Sequence, residues 1–181
     1  MSDTIRKQKI EMRKQYRKIR KNIDKSYADY AAEKLASIFI ENIDYIKGNI
    51  IAAYIPMDGE IDVIPLMSLL DDSDYEIVIP LINKVNDDLM FHRWKYDKEI
   101  LIPDTIITPI VAFDNKLNRL GFGGGWYDKT IGKLRHTKRN FIGVAYEAQH
   151  SYFLPQDEHD QALDIIITEK KIRVGNVISI Y

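Results

Sequence analysis

Ile5, Met12, Tyr16, Ile19 and Ile23 recur at helical spacing, so the chain opens with a predicted amphipathic helix over 5–23. At about 100° per residue these five share one narrow stripe. Lys9 falls at the edge of that stripe and Arg13 just beyond it. Lys7, Lys14, Lys18 and Lys21 point away. Residues 27–43, "YADYAAEKLASIFIENI", predict a second helix by composition and pattern. "NIIAAYI" (49–55) is a compact apolar strand that runs into the polar turn "PMDGE". A short helix follows over 62–71, with Asp62 as its N-cap and Pro65 in its first turn.

The remaining apolar runs are short, β-branched and bounded by breakers: 75–80, 105–111, 141–146 and 163–168. Such runs suit buried strands. Residues 89–94 read as an edge strand, and Gly175-Asn176 between two apolar runs reads as a terminal hairpin. Helices alternating with buried strands predict one α/β layered domain over residues 1–181, without repeats or linkers.

Composition narrows the class. Of the 181 residues 45% are hydrophobic and 29% charged, which is ordinary for a soluble globular chain. No apolar run approaches the length of a membrane span, and the N-terminal residues lack the apolar core of a secretory signal. A cytoplasmic protein is the expectation. Cysteine is absent, which excludes disulfides, thiolate nucleophiles and cysteine–zinc sites. The net charge of −1 hides an asymmetry: residues 6–25 carry ten Lys/Arg against Glu11 and Asp24. A basic helix can serve nucleic acid, or supply cations to an anionic ligand held elsewhere.

The densest chemistry lies in "NRLGFGGGWYDK" (118–129), which holds Gly121, Gly123, Gly124 and Gly125 among only nine glycines in the chain. A strand precedes this loop and a predicted helix follows it. That arrangement presents backbone N–H groups and a helix N-terminus to phosphate. Arg119 adds a bidentate cation, and Asp128 makes sense beside a phosphate if Mg²⁺ lies between them. The two standard glycine motifs do not fit: there is no G-x-x-x-x-G-K-[ST], and Trp126 stands where G-x-G-x-x-G requires a third glycine. The plainer alternative is a turn that packs strand against helix, with Arg119 and Asp128 as a surface ion pair.

"FDNKLNRLGFGGGWYDK" resembles the signature of the 5-formyltetrahydrofolate cyclo-ligase family, also called methenyltetrahydrofolate synthetases: an Arg-Leu-Gly-x-Gly-x-Gly-aromatic-Tyr-Asp run shortly after Phe-Asp. Trp126 stands where that family usually has tyrosine. Lys9-x-x-x-Arg13, the "YIPMDGEID" segment with Glu60, and "LPQDEHDQALDIIITE" with His159-Asp160 match further family elements in order. The resemblance runs from about residue 6 to 169. One departure is that only "KYDKEILIPD" separates Trp94 from Thr105, where the family carries a longer stretch.

The resemblance implies a Rossmann-like, three-layer domain with a mostly parallel sheet flanked by helices, akin to sugar-phosphate isomerases and CoA-transferases. It implies ATP-dependent closure of 5-formyltetrahydrofolate to 5,10-methenyltetrahydrofolate, with ADP and phosphate released. Carried over by position, ATP falls to Lys9, Arg13, Arg119, Leu120, Gly121, Phe122, Gly123, Gly124, Gly125, Trp126 and Tyr127, with Arg119 also catalytic. The folate falls to Ile55, Glu60, Phe122, Gly123, Gly124, Gly125 and Trp126, and Mg²⁺ to Asp128 and Asp160. A carboxylate such as Glu60 suits pterin N–H donors. Tyr54, Ile55 and Met57 either line that pocket or pack in the core; Trp126 and Tyr127 either stack on a ring or anchor the helix.

Two alternatives stand beside this reading. A family member can keep the nucleotide site while losing or changing its folate substrate, as the short 95–104 segment allows. Or the basic helix can bind RNA, although its cations spread around the helix and no aromatic platform accompanies them. His92, His136 and His150 show no ligand spacing, and His159 reads as a surface residue. A monomer acting without nucleic acid or membrane is the expectation.

Overall fold

A computed structural model describes residues 2–85, 88–95 and 98–175. Five parallel strands form the centre of a seven-stranded sheet. In sheet order these are β2 (Glu76–Asn83), β1 (Ile50–Ala52), β4 (Thr105–Pro109), β7 (Asn140–Val144) and β8 (Ile165–Ile167). Antiparallel strands close both edges: β3 (Asp88–Arg93) pairs with β2, and β9 (Ile172–Val174) pairs with β8.

Alternation along the central strands creates two cores, because successive side chains point to opposite faces. Ile51, Ile77, Ile107 and Ile142 face α2 (Lys25–Glu41) and α3 (Ile64–Asp71). Ala52, Val78, Ile106 and Phe141 face α4 (Trp126–Leu134) through Ile131. The result is the three-layer α/β/α architecture predicted. Leu35 and Phe39 of α2 are fully buried, each worth about 1.5–3 kcal/mol of burial. These cores fix the strand ends from which the loops depart.

α1 (Asp3–Lys21) belongs to neither layer. Ser2 caps it by accepting from the Ile5 amide at 3.3 Å. The helix crosses the carboxyl ends of the strands, where Tyr16 packs with Val111, Leu120 and Leu154, and Met12 and Ile19 lie at the margin. Its predicted apolar stripe is thus only half the story. Lys9 and Arg20 are more buried than Ile5 or Met12, at 4% and 2% exposure.

Several elements depart from the sequence reading. The 49–55 strand stops at Ala52, and residues 53–63 turn away to form loop structure. The 75–80 strand runs on to Asn83 through Pro80. Helix α3 begins after Val63, and Asp62 accepts from the Ile64 amide at 2.8 Å, one residue earlier than a standard cap. The 105–111 run splits: β4 ends at Pro109, and β5 (Ala112–Phe113) pairs antiparallel with β6 (Arg119–Leu120) in a separate hairpin. β9 folds back on β8 through residues 168–171. The predicted terminal hairpin at Gly175-Asn176 needs residues from Asn176 onward, which lie outside the described residues.

Candidate active site

The chain leaves β1 toward β2 on one side and returns in β4 on the other, so the sheet changes direction between β1 and β4. In open α/β sheets ligands bind outside the carboxyl ends of strands at such a switch point. A cleft of about 1110 Å³ lies there. Every candidate residue from the sequence lines it: Lys9 and Arg13, Ile55 and Glu60, the continuous run 119–128, and Asp160. These come from four separate stretches of chain.

The glycine loop is set up by the hairpin before it. Asp114, almost fully buried, accepts from the Lys116 and Asn118 amides and from the Asn118 side chain, holding the turn in which Leu117 takes φ 62°. The Phe-Asp element of the motif therefore places Arg119. Gly123 has φ 108° and Gly125, at the N-cap of α4, φ 72°, conformations that L-side chains rarely adopt. A Cβ added at Gly123 would also sit 3.3 Å from the Arg13 guanidinium carbon. The first turn of α4 opens onto the cleft, where the partial positive charge of a helix N-terminus favours anions.

Three cations ring this loop. Arg13 donates through Nε to the Gly121 carbonyl at 2.8 Å. Burial draws the Arg13 pKa below its ordinary value, while the nearby Asp160 and Asp128 carboxylates oppose that shift. Arg119, buried, donates through Nη1 to Asp128 Oδ1 at 2.9 Å and to the Gln161 carbonyl at 3.1 Å. Gln161 returns its amide to the same Asp128 oxygen at 3.0 Å. This is the ion pair the plainer reading allowed for, but it is buried on the arginine side and lines the cleft. Lys9 donates to Asp157 Oδ2 at 2.6 Å and Asp160 Oδ2 at 2.5 Å. The Lys9 hydrogen bond holds the Asp157 carboxyl below the usual carboxylate range.

The metal candidates are thus both engaged by cations. Among the described residues no group of three or more His, Asp or Glu side chains is placed to hold a metal on its own. Mg²⁺ ordinarily keeps several waters and takes only one or two carboxylates, with substrate phosphates supplying the rest. The hard oxygens of Asp128 and Asp160, beside the glycine-rich loop, fit that mode of binding.

Across the cleft, Tyr54 is buried and donates to the Ile61 carbonyl at 3.0 Å. Ile55 and Met57 are exposed on the cleft wall, and Tyr54 does both: it packs in the core and its surface also lines the cleft. Glu60 is buried in the turn that follows. It accepts from the Met57 amide at 3.0 Å and lies 3.9 Å from an Arg20 nitrogen. Burial raises its pKa above the ordinary carboxylate value. Tyr127 is half-buried on α4, and desolvation followed by the Glu60 charge pushes its pKa up. Trp126 and Phe122 present exposed ring surface to the cleft.

Sequence reasoning missed Asp157, Gln161 and the group around Asp58. Asp157 and Asp160, three apart in "QDEHD", carried the only available signal. Arg17, Arg20 and Lys21 all converge on Asp58; Lys21 is exposed, as its outward placement predicts, yet paired with that carboxylate. His159 is exposed, as expected. The described part of the short 95–104 segment runs beside β3, with the Leu101 amide on the Phe91 carbonyl, and none of it lines the cleft.

Fold and cleft define a doubly wound α/β protein with a glycine-rich loop at its switch point. The model of the 5-formyltetrahydrofolate cyclo-ligase family matches residues 92–169. The 5-formyltetrahydrofolate cyclo-ligase of Escherichia coli is 30% identical over 148 residues, 70% of this chain and 81% of that protein. That of Haemophilus influenzae is 29% identical over 187 residues, covering 91% and 99%. The solved structure of the 5,10-methenyltetrahydrofolate synthetase from Mycoplasma pneumoniae matches with a TM-score of 0.78 at 25% identity, over 89% of this chain and 98% of that one. The Aquifex aeolicus synthetase gives 0.78 at 29% identity, over 92% of each. The chain belongs to the 5-formyltetrahydrofolate cyclo-ligase family.

Proposed function

We propose that the protein closes 5-formyltetrahydrofolate to 5,10-methenyltetrahydrofolate at the expense of ATP, acting over 1–181 as a single cytoplasmic, monomeric domain. The observation that carries this is the one cleft that joins an anion-binding glycine loop ringed by Lys9, Arg13 and Arg119 to a wall containing buried Glu60. The triphosphate lies along Gly121–Gly125 and the first turn of α4. The pterin lies against Ile55, Phe122 and Trp126, with its N–H donors on Glu60.

The formyl oxygen attacks the γ-phosphorus, the bond to the β–γ bridging oxygen breaks, and ADP leaves. The phosphorylated formyl group is then an iminium-type electrophile. N10 attacks its carbon, the C–O bond breaks to release phosphate, and N10 loses its proton. Arg119 offsets charge on the transferring phosphoryl group, Lys9 and Arg13 offset charge on the remaining phosphates, and the cleft holds N10 near the formyl carbon. Asp128 and Asp160 would hold Mg²⁺, which would supply positive charge to offset the phosphates.

Nucleic acid is left aside because five cations of the basic helix are paired within the molecule: Lys9, Arg13, Arg17, Arg20 and Lys21 all have intramolecular partners, and Lys9 and Arg20 are buried. No helix among the described residues is long and apolar enough to cross a membrane. The test is absorbance of methenyltetrahydrofolate formed from 5-formyltetrahydrofolate with MgATP. Product formation supports the proposal; tight MgATP binding without any reduced-folate binding overturns it in favour of a changed substrate.

A further inference from the structure

Among the described residues Arg20 is the most deeply buried charged side chain, and it does not line the cleft. Its Nε and Nη2 both donate to the Asp58 carbonyl, at 3.0 and 2.8 Å, and Nη2 reaches Asp58 Oδ2 at 2.9 Å. Nη1 lies 3.4 Å from the Ile110 carbonyl and 3.9 Å from Glu60 Oε1. On its other side the guanidinium carbon stands 5.1 Å from the centre of the Phe122 ring. One buried cation thus touches the end of β4, the Asp58–Gly59–Glu60 turn and the glycine loop.

That turn needs holding. Asp58 takes φ 51° and Gly59 φ 73°, and a non-glycine residue in the left-handed region is strained unless its surroundings impose it. Arg17 and Lys21 also bind the Asp58 carboxylate, but both are substantially exposed. Only Arg20 reaches past Asp58 to Glu60.

We propose that Arg20 is a positioning residue for the folate end of the cleft: through the Asp58 turn and Phe122 it fixes where the Glu60 carboxylate and the aromatic wall stand. This rests on the placement of the pterin against Glu60. Desolvation of Glu60 is offset first by the Met57 amide and then by the Arg20 charge, so Arg20 also favours the ionised form of Glu60 that accepts N–H donors. The groups facing Glu60 are Arg20 from α1, the Met57 amide and Asp58 from its own turn, Tyr54 from the loop after β1, and Tyr127 from α4.

The experiment is a double-mutant cycle of Arg20→Met and Glu60→Gln, with Arg20→Lys as a charge-retaining variant, measuring KM for 5-formyltetrahydrofolate and for ATP against pH. Arg20→Met is expected to raise the folate KM roughly ten-fold, the scale of one lost charge-assisted contact, with the ATP KM unchanged. Its acidic limb should move to higher pH, and Arg20→Lys should keep the wild-type limb. In the Glu60→Gln background the Arg20→Met effect should fall to about two-fold or less, because the two residues act as a unit. Equal rises in both KM values, additivity with Glu60→Gln, or an Arg20→Lys enzyme with a shifted acidic limb would overturn the proposal. If Arg20→Met does not fold, a wild-type folate KM in Arg20→Lys overturns it as well, since lysine cannot make the forked contact to Asp58. A Glu60→Gln enzyme with unchanged folate KM overturns the pterin placement itself, and is recognised from that single variant alone.

Discussion

Arg119 and Asp128 are joined at 2.9 Å, and Gln161 binds both of them, its carbonyl taking the arginine and its amide the aspartate. The motif's first and last charged residues are therefore one unit, locked to the 157–161 loop. In the free protein Asp128 neutralises the cation that a phosphate would otherwise find.

Asp128→Asn keeps the size and removes that charge. It should raise the Mg²⁺ concentration needed for half-maximal activity, while metal-free ATP binds more tightly because Arg119 is less neutralised. A Mg²⁺ titration and a metal-free ATP titration check both. An unchanged Mg²⁺ requirement would rule Asp128 out as a ligand.

Lys9 holds two carboxylates that are themselves largely buried. Lys9→Met should weaken ATP binding at least ten-fold and lower stability by about 1–3 kcal/mol, the scale of leaving buried polar groups unpaired. Asp157 has a depressed pKa through Lys9, so the stability it contributes is present above the unfolded carboxylate pKa and lost as pH falls below it. The stability gap between wild type and Lys9→Met should therefore narrow in acid. Lys14→Ala with Lys18→Ala, on the exposed face, should change neither property. Equal losses in the two variants would mean that general charge, not placement, matters.

The glycines separate backbone strain from ligand approach. Gly123→Val faces both a φ of 108° and the Arg13 guanidinium, and should abolish ATP binding while circular dichroism still reports a folded chain. At Gly121 an added Cβ meets nothing within 4 Å and φ is not in the left-handed region, so Gly121→Ala should fold with wild-type stability. Wild-type ATP affinity in folded Gly123→Val would end the assignment of the loop to phosphate.

Glu60→Gln should weaken 5-formyltetrahydrofolate binding about ten- to a hundred-fold and leave ATP binding alone. It should also stabilise the protein near neutral pH. A carboxylate whose folded pKa is raised contributes its stability below the unfolded pKa and loses it as pH rises through the folded value. Thermal melts at neutral and acidic pH should show the variant's advantage fading in acid. A variant less stable at neutral pH would show that the charge of Glu60 is needed structurally.

What the sequence revealed follows local rules. Helical periodicity put Lys9 and Arg13 on the inner flank of α1, and glycine density marked the loop before α4. The hairpin from Ala112 to Leu120 was invisible because Asp114 builds it with side-chain hydrogen bonds instead of strand-forming residues. Strand β1 read too long because Ala53 and Tyr54 are apolar for core packing while the chain is already turning into the cleft. Arg20 was one of nine cations on one helix. Its burial depends on Asp58, 38 residues away and in a conformation no periodicity reports.

The most direct measurement of the central claim follows both products in one reaction: methenyltetrahydrofolate by absorbance and ADP by a coupled assay, from 5-formyltetrahydrofolate and MgATP. Equal amounts of the two are expected, with no ADP above background when the folate is omitted. ADP released without methenyltetrahydrofolate, or MgATP bound while 5-formyltetrahydrofolate neither binds nor reacts, would contradict it.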